Sequence, residues 1–301
     1  MNLFEWASGA AKQTLSDARM EALRNSYFTL RKHASPALRW LHGSFDAAAL
    51  RDHLAQRVGR NFEVLMVHSS VNHMLPMFTD GPLDLVRMLI DFCGPDRTLA
   101  MPAFYFGDPA VGGAFETLRL QRRFDLRRVP SQMGLATELF RRMPGVVQSR
   151  HPVYRISALG PLAQALTAGH EHADGPAGKG SPFEFMAARD TCIIGIGKPM
   201  QVLTQAHHTE GLMGDEFPLP WRVGDSVDLT LVDRGQEIPF TMVNKDVAGR
   251  FDIWKLRNIM APGTLQEWRF HHVPMFATRA RSVTDQCVAA ARRGVTLYDP
   301  L

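Results

Sequence analysis

Cysteine is scarce: Cys93, Cys192 and Cys287 stand far apart in 301 residues. Such an odd, scattered set builds neither a disulfide framework nor a cysteine-based zinc site, and it fits a reducing compartment. Long hydrophobic runs are missing too. No window reaches the roughly 18 uninterrupted apolar residues of a membrane span, so no integral membrane segment is expected. The opening Met1-Asn2-Leu3-Phe4-Glu5-Trp6 has no basic stretch followed by a long apolar core, which argues against a secretory leader. The expected location is cytoplasmic. Aromatic residues do not interleave with basic ones, and no zinc-finger or RNA-recognition signature occurs, so nucleic acid is not expected as a partner. Internal repeats and low-complexity tracts are absent.

What is present is an ordinary globular composition, 45% hydrophobic and 21% charged, in a chain long enough for one large domain with elaborations. The charge is uneven. There are 34 Lys+Arg against 30 Asp+Glu, the sequence pI is about 9.1, and the excess gathers at Arg119, Arg122, Arg123, Arg127, Arg128, Arg141, Arg142 and Arg150. Guanidinium clusters suit phosphate-bearing ligands, although any one of these arginines is more commonly a solvated side chain.

Residues 1–60 read as a helical extension with breaks near Pro36 and Gly43, anchored by Phe28, Leu30, Leu38, Trp40 and Leu41. From residue 61 the texture changes. Short apolar runs at 63–68, 98–104, 153–159 and 191–196 predict strands, and the periodicity at 83–92, 132–142 and 280–292 predicts helices. Residues 222–245 read as a hairpin turning at Asp233-Arg234-Gly235-Gln236. The fold class expected is α/β: a layered α/β/α sheet over 61–301, with a small inserted β-rich subdomain at 222–245 and the N-terminal helical extension at 1–60. In such folds ligand chemistry gathers at the C-terminal ends of strands. His68-Ser69-Ser70 falls at one such end, and a second motif falls just past another.

That motif is Thr204-Gln205-Ala206-His207-His208-Thr209-Glu210. A helix beginning after Gly197-Lys198-Pro199 puts Thr204, His207 and Glu210 on one face, because residues three apart are neighbours there. An imidazole with a carboxylate one turn away has the ingredients of a general base and its orienting partner. His208 points about 100° round the helix, and its replacement is expected to matter little. A metal-dependent hydrolase is the alternative reading of His207 and Glu210. It needs further ligands from His151 or the His271-His272 pair.

Taken in order, several pieces now combine: His68-Ser69-Ser70, Met101-Pro102-Ala103-Phe104, Ser131-Gln132-Met133-Gly134, Ser149-Arg150-His151-Pro152, Ala158-Leu159-Gly160-Pro161, Gly178-Lys179-Gly180-Ser181-Pro182 and Thr-x-x-His-x-x-Glu. This order resembles the aminoglycoside 3-N-acetyltransferase family, which is distinct from the GNAT acetyltransferases. The resemblance runs from about Phe62 to the C-terminus.

It implies direct acetyl transfer from acetyl-CoA, as cosubstrate, to an amine of a sugar. His207 would be the base and Glu210 its orienting carboxylate. Thr204 or a nearby backbone N–H would serve the tetrahedral oxyanion. His68, Ser69, Ser70, Gly178, Lys179, Gly180 and Ser181 match the cofactor-facing loops. His151 matches an element near the substrate cleft.

The chain also departs from the family. Ser69-Ser70-Val71-Asn72-His73-Met74-Leu75-Pro76 replaces a glycine-containing stretch, Tyr154 stands where a His often follows the His-Pro pair, and the N-terminal extension is additional. A basic protein repels polycationic drugs at long range. The expected acceptor is therefore an anionic amino sugar, such as a nucleotide-linked sugar or a surface-polysaccharide precursor. An antibiotic-inactivating aminoglycoside acetyltransferase is the alternative within the class, and a silent binding protein is another. The oligomeric state stays open.

Overall fold

The computed structural model describes residues 17–300. Expectations for residues 1–16 lie outside the described residues. The chain begins with α1 (Asp17–His33), α2 (Ser35–His42) and α3 (Ala47–Arg57). Then follow β1 (Val64–Ser69), α4 (Pro82–Cys93), β2 (Thr98–Pro102), α5 (Ala114–Gln121) and β3 (Arg123–Asp125). Next come α6 (Leu135–Phe140), β4 (Val147–Gln148), β5 (Ile156–Leu159), α7 (Ala163–Thr167), α8 (Pro182–Ala188) and β6 (Thr191–Ile196). The last third contains α9 (His208–Met213), β7 (Trp221–Asp233), β8 (Gln236–Val247), β9 (Gly249–Phe251), β10 (Leu265–Phe270), β11 (Val273–Arg279), α10 (Ala280–Ala291) and β12 (Tyr298–Pro300).

A seven-stranded mixed sheet runs β10-β11-β6-β1-β2-β5-β4. β1 lies between β6 and β2, parallel to both, and the outer pairings are antiparallel. Every residue of β1 and β6 is buried, which is why both read as continuous apolar runs rather than alternating ones. The period-2 pleat sends Leu65 and Val67 to one face, with Leu50, Leu54, Leu85, Leu89 and Phe92 of α3 and α4. Val64 and Met66 face the other way, with Phe183 and Met186 of α8 and Val283 and Cys287 of α10. The result is the α/β/α layering expected.

Local chemistry sets the boundaries. α4 starts at Gly81-Pro82, where the Asp84 carboxylate accepts from the Gly81 N–H at 3.0 Å, and it ends at Gly94. α6 is shorter than the periodicity at 132–142 implies, because Gly134 takes φ 105° and the chain is not helical before Leu135. β7 and β8 turn at Arg234-Gly235, both at positive φ. They form a three-stranded sheet with β3 over Leu118, Phe124, Leu126, Val227, Leu229 and Leu231.

The arm docks differently from its sequence reading. Phe28 packs edge-on against His73 with centroids 5.2 Å apart, and Leu38 lies on the core. Arg39 donates to the Pro76 carbonyl at 2.8 Å, and Arg31 donates to those of His73 and Leu75. Leu30, Trp40 and Leu41, expected as anchors, are instead 68%, 87% and 65% exposed. Guanidinium-to-carbonyl bonds hold this helix, so the apolar residues on its other side stay in water.

Gly195, paired with His68 across β1 and β6, has no room for a side chain. A Cβ there would lie 2.1 Å from the Phe276 ring and 2.8 Å from the Lys198 carbonyl oxygen. Gly195→Ala is expected to destabilise the fold by about 1–3 kcal/mol or more through overpacking, read from urea denaturation midpoints.

Candidate active site

Two strand ends meet where the site is built. Past Ile196, Gly197 adopts φ 69° and packs so closely on the turn after β1 that a Cβ would lie 2.5 Å from the Ser70 carbonyl oxygen. The chain then descends through the 3-10 turns Met200–Val202 and Thr204–His207 before α9 begins at His208. The single helix expected from the spacing is thus two pieces. Gln205 explains the break. Its buried amide donates to the Phe183 carbonyl at 3.0 Å and to the Thr284 hydroxyl at 3.1 Å, tying the turn to α8 and α10. In a 3-10 turn residues three apart are eclipsed, so Thr204 and His207 still share a face.

His207 is 30% exposed at its side chain, and its ring stacks on Phe251 of β9 with centroids 4.3 Å apart. Its Nδ1 lies 3.5 Å from Oε1 of Glu210, which is buried. With Nδ1 turned to the carboxylate, Nε2 is the nitrogen left to take a proton. The same Oε1 accepts a hydrogen bond from the Tyr298 hydroxyl at 2.6 Å, and Oε2 receives none among the described residues. Burial and the Glu210 charge push the Tyr298 phenol well above its ordinary pKa, and the same causes push Tyr154 up to about 12. Both stay protonated donors at neutral pH. The Thr204 hydroxyl is half-buried and donates to the Val202 carbonyl at 3.3 Å, so it would have to rotate to serve an oxyanion.

His208 is a structural residue. It is 1% exposed, its Nδ1 meets the Ala177 carbonyl oxygen at 2.6 Å, and burial lowers its pKa. The neighbouring carbonyl, that of Pro176, accepts from Nε2 of His170 at 3.0 Å, while Nδ1 of His170 meets the Ser149 hydroxyl at 2.9 Å. Two imidazoles therefore clamp the segment leading into the Gly178–Lys179–Gly180–Ser181 loop against α9. The glycine at 178 serves this closure. A Cβ on Gly178 would overlap the Asp174 carbonyl, and one on Gly211 would lie 2.5 Å from the Gly178 Cα. Ser181 spends its hydroxyl on the Gly178 carbonyl at 2.6 Å, and the Gly180 N–H donates to Glu184 at 2.7 Å. Lys179 is exposed.

The remaining expected site residues are distributed differently. His68 is 2% exposed, and burial with the nearby Lys198 charge lowers its pKa to about 3. A ring so enclosed cannot take a phosphate from solvent, which corrects the reading of His68 as a cofactor contact. Ser69 is buried as well, and the Ser70 hydroxyl is bonded to His73 Nδ1 at 2.7 Å. His151 is also corrected. It is 4% exposed, its Nδ1 accepts from the Val153 and Tyr154 N–H groups at 3.1 Å, and its ring stacks on His170. It builds a turn, with its ring enclosed by the protein. The further metal ligands that a hydrolase requires are engaged elsewhere: His151 in that turn, His271 on the His42 carbonyl and His272 stacked on His42.

Sequence reasoning missed Tyr298, Phe251 and His170. The first two reach the motif only because β12 pairs with β9, Tyr298 opposite Phe251, and a three-residue edge strand leaves no periodicity to read.

Seven of the eight arginines are engaged in ion pairs, and Arg122 donates to the Arg119 carbonyl. Arg119 pairs with Glu116, Arg123 with Glu237, Arg128 with Asp125, and Arg141 and Arg142 with Glu138. Arg127 and Arg150 share Asp233, and Arg150 also meets Glu171. Most of the segment's guanidiniums thus already have a carboxylate partner within the chain. Among the described residues no helix is long and apolar enough to cross a membrane.

The protein is thus a layered α/β protein with a His–Glu pair just past the C-terminal end of a central strand. A family model described as aminoglycoside 3-N-acetyltransferase matches residues 66–290, and the chain belongs to that family. It is 43% identical over 79 residues to aminoglycoside N(3)-acetyltransferase VII of Streptomyces paromomycinus, covering 26% of this chain and 27% of that one. It is 26% identical over 179 residues to aminoglycoside N(3)-acetyltransferase IX of Micromonospora chalcea, covering 56% and 63%. The matched stretches span less than two thirds of either relative. Among solved structures, aminoglycoside acetyltransferase AAC(3)-Xa superposes with TM-score 0.69 at 22% identity, covering 88% of this chain and 99% of that one. AAC-VIa bound to sisomicin gives 0.68 at 21%, covering 84% and 99%. AAC-IIIb in binary complex with CoASH gives 0.66 at 22%, covering 85% and 99%. These likenesses show a shared fold.

The buried imidazoles have a measurable consequence. Burial holds His170 at about 4 and His68 at about 3, and it keeps His151 well below the ordinary histidine value. The unfolded chain titrates near 6.5 and so binds more protons below that pH. Stability is therefore full above about pH 6.5 and falls as pH drops toward 4, by about 1.4 kcal/mol per pH unit for each such group. Urea midpoints between pH 7 and pH 5 should show this loss. His208→Ala, which leaves the buried Ala177 carbonyl unpaired, is expected to cost about 1–3 kcal/mol at pH 7.

Proposed function

We propose that the protein transfers the acetyl group of acetyl-CoA to an amine of an aminoglycoside-type amino sugar. The observation that carries this reading is the partly exposed imidazole of His207 with Nδ1 against buried Glu210, at the C-terminal end of a parallel strand, in a chain of this family. An ammonium must lose a proton before its nitrogen can attack a thioester. Nε2 of His207 would take that proton, and Glu210 would stabilise the imidazolium. The nitrogen then bonds to the thioester carbon, the tetrahedral oxyanion collapses, and the C–S bond breaks. CoA leaves as the thiol once the sulfur is protonated. No acyl-enzyme is required, and the buried thiol of Cys287, held up at about 12 by burial, is a poor nucleophile. Of the two loops matched to the cofactor, Lys179 is the exposed side chain suited to CoA's phosphates.

The acceptor is inferred to be polycationic and not anionic. The case for an anionic sugar rested on the basic pI and the Arg-rich segment, and most of that segment's arginines are paired with Glu116, Asp125, Glu138, Glu171, Asp233 and Glu237. The relatives are named aminoglycoside N(3)-acetyltransferases, and AAC-VIa binds sisomicin. Asp215 and Glu216, exposed just beyond α9, add negative charge close to the motif.

Thiol release from acetyl-CoA, measured over a panel of aminoglycosides and nucleotide-linked amino sugars, tests the assignment. Turnover is expected with the aminoglycosides, and turnover confined to the nucleotide sugars would overturn the acceptor. His207→Ala should lower kcat by about 10²–10⁴ with acetyl-CoA affinity unchanged by calorimetry. A fully active variant would remove His207 as the base.

A further inference from the structure

We propose that Tyr298 is a positioning residue for the His207–Glu210 pair, its phenol fixing the orientation and charge density of the Glu210 carboxylate. The inference rests on the acetyltransferase reading above and adds a group that lies beyond the residues matched to the family, 66–290.

The geometry is specific. The Tyr298 hydroxyl lies 2.6 Å from Oε1 of Glu210, the oxygen that faces His207 Nδ1 at 3.5 Å. The carboxylate therefore has a short hydrogen bond from the phenol, while the imidazole stands farther off at 3.5 Å. One two-stranded ribbon brings both partners in. β12 carries Tyr298, β9 carries Phe251, and these two residues pair across the ribbon. Phe251 stacks on the His207 ring, and its own ring stands edge-on to Tyr298 with centroids 5.2 Å apart. Lys255 closes the arrangement, donating to the Tyr298 carbonyl at 3.0 Å.

The phenol's effect follows from charge. A neutral donor on Oε1 spreads the carboxylate's negative charge, so the imidazolium of His207 is stabilised less than by a bare carboxylate. Other titratable groups around Glu210 are Tyr154 before β5, His208 on α9 and Cys287 on α10, and Asp246 of β8 faces Tyr298. Tyr154 and Cys287 are held neutral by their raised values and His208 by its lowered one, so none of them takes over the phenol's role by ionising.

The test is Tyr298→Phe, which keeps the ring packing and removes the hydroxyl. The His207 ring is followed by ¹⁵N NMR across pH, its signals assigned by their loss in His207→Gln. Its pKa is expected to rise by about half to one unit. The acidic limb of kcat/KM should move up by the same amount, with KM for both substrates unchanged. In a Glu210→Gln background the Tyr298→Phe shift should vanish, because the phenol acts through the carboxylate. A His207 titration that is unmoved, that falls, or that shifts equally in both backgrounds overturns the assignment, even if thermal stability drops. The two readings fail separately. Should the unaltered protein release no thiol with any acceptor while the titration moves as expected, acetyl transfer falls and the phenol's role stands.

Discussion

The burial of one carboxylate organises this site. Glu210 is kept from water by α10, by the C-terminal strand and by its own short helix, and a charge so placed is tolerated only with partners. Tyr298 and His207 are those partners, and each is supplied by a different part of the chain. The three-layer core fixes α9 against α10, the β9–β12 ribbon brings the phenol, and the turn after β6 sets the imidazole at the surface. Each of these elements has to be in place for the carboxylate to be accommodated. A change that loosens any one of them would act on the imidazole through the carboxylate.

The second constraint is the closure of the segment that leads into Gly178. Backbone carbonyls at Pro176 and Ala177 face inward and are satisfied by His170 and His208, side chains from two separate elements. The apposed glycines at 178 and 211 let the loop lie directly on α9. The family resemblance implied a cofactor-facing role for Gly178, one of this pair. In this chain their first requirement is protein packing, and the two roles are compatible because the exposed face of the loop, with Lys179, remains outside.

Much of this was legible in the sequence, for identifiable reasons. β1 and β6 are buried on both faces and therefore appear as unbroken apolar runs, and α4 carries its start and stop signals in Gly81-Pro82 and Gly94. The register Thr204, His207, Glu210 survived even though the helix is broken, because a 3-10 turn also brings every third residue to one face. What could not be read was tertiary. The local spacing selects His207 as the partner of Glu210 but does not show that His208 is a buried structural residue. Which one faces the interior is decided by Gln205, which fixes the rotation of the turn, and by the carbonyl waiting at Ala177. The arginines misled because pI is a sum over the whole chain, while a ligand meets the local potential. Asp233 and Glu237, which pair with three of those arginines, are more than 80 residues away in sequence. The arm misled in the opposite sense, since Trp40 and Leu41 are apolar but anchor nothing.

The unequal shielding of the imidazoles has a practical corollary. His68, His151, His170 and His208 are 4% exposed or less, whereas the side chain of His207 is 30% exposed. To a small acylating electrophile these rings are not equivalent nucleophiles. The ring at 207 can be reached while the fold is intact, and the four enclosed rings become accessible only when the structure opens. Differential labelling of this set would therefore register loss of the native packing as it occurs, with the protein acting as its own reporter.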